Sequence, residues 1–114
     1  MTSLMFKREN RLVSGVRFNN SHIFTVAQFT LKNKENNSSL NRFGIVVSKK
    51  VDARAVIRNR VKRFFRTTLM NMNKKMVAGH DILFVVKKEV LNKTKEENLL
   101  AIKNTLEKAD LFKA

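Results

Sequence analysis

The chain has 114 residues, enough for one modest core and one domain, and 43% of them are apolar, too many for a wholly disordered chain. Lys and Arg number 24 against nine Asp and Glu, a net charge of +15 that opposes compaction by self-repulsion and calls for a polyanionic partner. The absence of Cys excludes a disulfide scaffold, a thiol nucleophile and a thiolate zinc site. No apolar run approaches the ~20 residues that cross a bilayer, and the first residues lack the roughly 7–15-residue apolar stretch of a secretory signal. A cytoplasmic protein without a membrane partner is expected.

Pro is absent and only Gly15, Gly44 and Gly79 supply glycine, so turn signals are few. Phe6 to Ser14 is a short, mostly polar segment compatible with a first helix. His22 to Leu31 is rich in Ile, Phe, Thr and Val and predicts a strand, with Ile23, Thr25, Ala27, Phe29 and Leu31 toward the core and Phe24, Val26 and Gln28 opposite. Lys32 to Asn41 is polar and predicts a hairpin loop. Arg42 to Ser48 is a second strand. A helix follows from about Ala53 to Met72, with Asp52 as a plausible N-cap. Asp81 to Lys87 is a third long strand whose continuous apolar residues predict burial on both faces. A last helix starts at Thr94, with Glu97 three residues on, a capping-box pattern. Its expected apolar stripe is Leu99, Ile102, Leu106 and Ala109. The order predicts one α+β domain over residues 1–114, an α/β sandwich with helices against one sheet.

The segment Lys49 to Arg66 holds eight basic residues and one acid, Asp52. At about 100° per residue, Ile57, Val61, Phe64, Phe65 and Met72 share one arc. Arg58, Lys62 and Arg66 form an i, i+4, i+8 ladder beyond one edge of that arc. Asn59 and Arg63 lie on the far side, and Arg60 guards the other edge. The apolar arc must bury, so the cations are held outward as a fixed array. Its rise of about 6 Å per four residues is close to the spacing of phosphates along one nucleic acid strand. Arg suits this work because its planar fork grips phosphate bidentately. Like charges at this spacing cost an isolated helix ~0.2–0.5 kcal/mol per pair, so a purely structural helix would alternate signs. A membrane-surface helix fits less well, because the apolar face is needed for the core.

A protein nuclease would need clustered acids for metal ions or a His-based acid and base. Here the nine acids are scattered. His22 opens a strand, and His80-Asp81 sits at a turn where capping is the simpler role. No Gly-rich phosphate loop or nucleophile motif is present. Neither a catalytic side chain nor a protein metal site is expected.

The runs Val47-Ser48-Lys49-Lys50-Val51 and Ala55-Val56-Ile57-Arg58-Asn59-Arg60-Val61-Lys62-Arg63, then Arg66, resemble the signature of the bacterial ribonuclease P protein subunit. Arg42-Phe43-Gly44-Ile45 and the Asp81-Ile82 strand fit the same pattern. The resemblance covers roughly Gly15 to the C-terminus. It implies a single domain of α-β-β-β-α-β-α order, a mainly antiparallel sheet with a left-handed βαβ crossover, like the second domain of ribosomal protein S5. The extra short strand of that order would fall near Val16 to Phe18. The resemblance also implies function: association with a catalytic RNA that, with bound Mg²⁺, removes the 5′ leader from precursor tRNA, with no obligate protein partner. Arg58, Asn59, Lys62 and Arg66 resemble residues lining the leader cleft. Arg60 and Arg63, with Lys49, Lys50 and Arg54, resemble contacts to the catalytic RNA. The family often flanks the leader with aromatics, where this chain has Arg8, Leu12 and Val26; Phe18 and Phe24 lie nearby as substitutes. The Gly often found after the Lys-Lys pair is replaced by the turn Val51-Asp52-Ala53-Arg54. The alternative is a structural RNA-binding protein of ribosomal type, which the basic charge alone fits equally well.

Overall fold

The computed structural model describes residues 10–12 and 21–113. Four strands, β1 (His22–Thr25), β2 (Phe29–Glu35), β3 (Arg42–Val46) and β4 (His80–Val86), form one sheet in the order β1-β2-β4-β3. β2 is antiparallel to both β1 and β4, whereas β3 and β4 are parallel. The parallel pair requires a crossover, and α1 (Ala55–Met72) supplies it. α2 (Lys95–Lys108) follows β4 after a 3-10 turn at Lys88–Asn92.

The predicted strand from His22 to Leu31 is two strands. The chain reverses between Thr25 and Phe29, where the Val26 amide donates to the Phe29 carbonyl (3.0 Å). β4's end secures this turn: the Lys87 amide donates to Gln28 O (2.8 Å) and its Nζ to Val26 O (2.8 Å). No Gly, Pro or Asn marks the reversal, so the apolar run reads as continuous. The reversal inverts the expected faces of β1. Phe24 lies opposite Leu31 on the helix-covered face, and Ile23 is 59% exposed. β2 continues through Lys32 and Lys34 to Glu35 with Asn33 buried, so the loop shrinks to residues 36–41. Among the described residues, the strands before α1 are therefore His22–Thr25, Phe29–Glu35 and Arg42–Val46. Val16 to Phe18 lies outside the described residues. So does most of the predicted first helix, within which Arg11 and Leu12 instead run beside β3. The Leu12 amide donates to Phe43 O (3.0 Å).

Loop 36–41 packs against Gly79, whose φ of +88° favours glycine and whose Cβ, if present, would lie 2.8 Å from Ser38 O. Asp81 does not cap the turn. Its buried carboxylate takes both arms of the Arg42 guanidinium (2.8 and 3.0 Å) and the Asn36 amide (2.9 Å). This pairing follows from the parallel register, which sets Arg42 beside Asp81.

The core lies between the sheet and the two helices. Phe65 of α1 meets Phe29 edge-on (centroids 5.9 Å) and Phe84 (5.5 Å), which in turn meet each other (5.0 Å). Val61, Thr68 and Leu69 complete the buried side of α1. β4 buries Ile82, Phe84 and Val86 fully, but Leu83 and Val85 on the outer face only in part, so its two faces are unequal. α1 starts at Ala55, with Arg54 at the N-cap position and no side-chain cap. α2 has the expected capping box: Thr94 Oγ1 accepts from the Glu97 amide (3.1 Å), and Glu97 Oε1 accepts from the Thr94 amide (3.0 Å). Its buried stripe is Asn98, Ile102, Thr105 and Leu106; Leu99 is 43% exposed. Of the expected stripe, Ile102 and Leu106 are buried and Ala109 packs against the core, while Asn98 takes the inward place expected of Leu99, its Nδ2 donating to Val90 O (3.0 Å).

Phe65→Ala is expected to cost ~3–5 kcal/mol, the usual range for a buried aromatic, whereas Leu99→Ala should stay within about 0.5 kcal/mol. Urea unfolding of both variants checks that Leu99 lies outside the buried side of α2.

Candidate nucleic-acid interface

α1 carries the charge array because its buried side fixes its rotation. Arg58, Lys62 and Arg66 are half-buried, their stems lying along the flank of the apolar side, while Asn59, Arg60 and Arg63 are exposed. This is the usual compromise of long cationic side chains, with apolar stem down and charged head out. Arg60, Val61 and Phe64 line a hollow with Val90, Leu91, Lys93, Lys95 and Asn98, so that flank of the helix faces α2. On the helical wheel the ladder is on the other flank, away from α2.

Arg42 pairs with Asp81 and Arg54 with Asp52. None of Arg58, Lys62 and Arg66 is paired with a carboxylate of the described chain. Arg58 instead donates from Nη1 to the carbonyls of Asp52 (3.1 Å) and Ala53 (2.7 Å). These contacts hold the guanidinium beside the helix entrance without cancelling its charge.

The entrance itself is built by Asp52. Its carboxylate accepts from the Arg54 amide (2.8 Å) and takes the Arg54 guanidinium on both oxygens (3.0 and 2.8 Å). Asp52 is thus a turn-former two residues before the cap, not the N-cap. The Arg54 hydrogen bonds, side chain first and backbone second, hold its pKa down to about 2. Arg54 remains 73% exposed, but part of its charge is committed to Asp52. Lys49 and Lys50 are exposed on the turn that closes with the Val51 amide on Ser48 O (3.0 Å). Buried Val51 anchors this turn in place of a glycine.

The candidates proposed to flank a leader do not form one group. Phe24 and Val26 are partly buried against the core on the helix-covered side. Leu12 packs at Gly44 and Leu83, on the opposite face of the sheet. Phe18 lies outside the described residues. Also among the described residues, no three His, Asp or Glu side chains converge as a metal site. Sequence reasoning missed the cations at the far end of α1, Lys74 and Lys75, because no motif flags them.

An α+β domain that presents unneutralised cations along one rigid helix is suited to bind a polyanion, and the resemblance of its helix motif to the ribonuclease P protein signature implies that the polyanion is RNA. Comparison with known proteins gives the family. The Ribonuclease P family model matches residues 6–110. The ribonuclease P protein component of Clostridium botulinum (strain Loch Maree) is 35% identical over 79 residues, covering 68% of this chain and 70% of that one. The component from Marinomonas sp. is 32% identical over 115 residues, covering 96% and 83%. Among solved structures, the Staphylococcus aureus RNase P protein superposes with a TM-score of 0.75 at 26% identity, covering 82% of this chain and 85% of that one. The chain belongs to the ribonuclease P protein family. It is the protein subunit of the endonuclease that processes the 5′ end of tRNA, in which RNA is the catalyst, and it associates with RNA.

Asp52 tests the helix entrance. A carboxylate whose folded pKa is lowered stabilises the fold above its unfolded pKa of ~3.9 and loses that contribution as pH falls toward about 2. Asp52→Asn should therefore melt below the parent at pH 6, and the gap should close as pH drops from about 4 to about 2. Thermal melts across that range measure it.

Proposed function

We propose that the two flanks of α1 divide the RNA between them. The ladder Arg58, Lys62 and Arg66, with Asn59, grips the 5′ leader of precursor tRNA. Arg60 and Arg63, with Lys49, Lys50 and the exposed part of Arg54, contact the catalytic RNA. The observation that carries this reading is the ladder itself, three cations on one flank without a carboxylate partner among the described residues. A chain of phosphates is the chemistry that fits it. The flank turned toward α2 and the exposed crest serve a second RNA surface, so one helix holds enzyme RNA and substrate in register. Mg²⁺ would be held by the RNA, since the described side chains offer no cluster of three acids or imidazoles. The work of the protein is to lower the electrostatic cost of bringing two polyanions together. The complex is proposed to act in the cytoplasm.

Mixing the protein with a bacterial ribonuclease P RNA and precursor tRNA at low Mg²⁺ should accelerate cleavage over RNA alone. No acceleration across a protein titration overturns the reading. Arg58→Ala and Lys62→Ala should each weaken precursor tRNA more than mature tRNA; equal weakening would move these residues to the tRNA body or the catalytic RNA. Binding should also be steeply salt-dependent, since 6–10 phosphate contacts lose ~10³–10⁵ in affinity between about 50 and 200 mM salt.

A further inference from the structure

At the end of α1 opposite the Lys49–Arg54 turn, three segments meet. Lys74 and Lys75 come from the 3-10 turn that follows α1, Lys103 and Glu107 from α2, and Phe112 and Lys113 from the C-terminal segment. Backbone hydrogen bonds fix that segment in place: the Val77 amide donates to Leu111 O (2.7 Å) and the Lys113 amide to Lys75 O (2.8 Å). The hollow they enclose measures about 500 Å³. Its lining includes Phe112, half-buried against the core, and the exposed Lys74, Lys75, Lys103 and Lys113, none of them in an ion pair among the described residues.

Four unneutralised cations sharing one hollow with a half-buried aromatic ring have a specific chemistry. The volume lies within the ~300–1,000 Å³ typical of small-ligand sites, room enough for one nucleotide. A ring face with flexible point charges around it matches an unpaired base and the phosphates on either side, without sequence readout. The one carboxylate on the wall, Glu107, is an acceptor for a base amino group. A lipid surface would need a convex apolar face, and this site is concave.

We propose that this hollow is a second RNA-binding site, taking an unpaired nucleotide with its base on Phe112 and its flanking phosphates on Lys74, Lys75, Lys103 and Lys113. The 18 residues of α1 at ~1.5 Å each separate it by about 27 Å from the Lys49–Arg54 turn. One phosphate group cannot serve both. The protein therefore holds RNA at both ends of one rod, along a continuous strand or through two separate elements. The site stands apart from the division of leader and catalytic RNA proposed above and requires only that the ligand be single-stranded RNA.

The test uses the full chain and a fluorescent twelve-residue oligoadenylate, with no catalytic RNA or tRNA present. It thus fails or succeeds independently of the cleavage assay. Each single-strand phosphate contributes ~0.7 to the slope of log K against log salt. Replacing Lys74, Lys75, Lys103 and Lys113 together by Ala should lower that slope by about 2 to 3 and weaken binding at least tenfold at low salt. Phe112→Leu keeps the packing but removes the ring, and should weaken binding at least about fivefold, the lower end of base–aromatic stacking. The triple variant Arg58→Ala, Lys62→Ala, Arg66→Ala should lower the slope separately and additively. Thermal melts confirm that each variant is folded. An unchanged slope in the four-lysine variant, or unchanged affinity in Phe112→Leu, overturns the proposal.

Discussion

The position of Phe65 decides what the rest of the molecule can do. Its ring stands edge-on to Phe29 and close to Phe84, so α1 has one allowed rotation on the sheet. Every cation on the helix inherits its direction from that contact. The helix could not rely on its own local chemistry: it has no side-chain cap, no acid in its first turn and like charges at four-residue spacing. Those repulsions cost ~0.2–0.5 kcal/mol per pair. Burial of one Phe is worth ~1.5–3 kcal/mol, and each good aromatic pair adds ~0.5–1.5. Packing therefore outweighs charge, and the helix can stay both folded and strongly basic.

Where the acids sit matters as much as where the cations do. Asp81 is buried, pairs with the partly exposed Arg42 and ties loop 36–41 to the sheet through Asn36. Asp52 shapes the entrance to α1 through Arg54. Glu97 closes the capping box of α2, and its hydrogen bonds with Thr94, backbone first, hold its pKa below the ordinary carboxylate value. Each of these carboxylates has a structural task near a backbone turn or a strand end. None forms an ion pair with the ladder, although the charge of Arg58 acts on nearby Asp52. The field over α1 is thus a consequence of how the few acids are used, not only of the total of +15.

Assignment to the ribonuclease P protein family gives this arrangement its meaning, since the enzyme's catalyst is RNA and the protein supplies binding. An active site would require converging polar groups of defined pKa, whereas an RNA-binding surface requires cations left without internal partners. The second requirement is met by a rigid helix and can be met again wherever a turn brings lysines beside a half-buried ring. This is why the charge at both ends of α1, and not only its motif, carries functional information.

What the sequence determined by itself is what depends on local spacing. The apolar arc of α1, the ladder beside it, the Thr94–Glu97 capping box and the apolar run of β4 are all legible at three-, four- or two-residue periods. The family motif is legible for the same reason, because it is compact. Tertiary structure alone decided what depends on distant partners. The reversal at Val26–Gln28 is held by Lys87, far along the chain, so no local signal announces it. The exchange of Leu99 for Asn98 on the buried side of α2 rests on Asn98 finding the Val90 carbonyl. The Arg42–Asp81 pair exists only through the register of two parallel strands. Leu12 and Phe24, close in the list of cleft candidates, lie on opposite faces of the sheet because β1 folds back on β2 and inverts its side-chain parity. Periodicity fixes which face of an element is apolar; only packing fixes what that face meets.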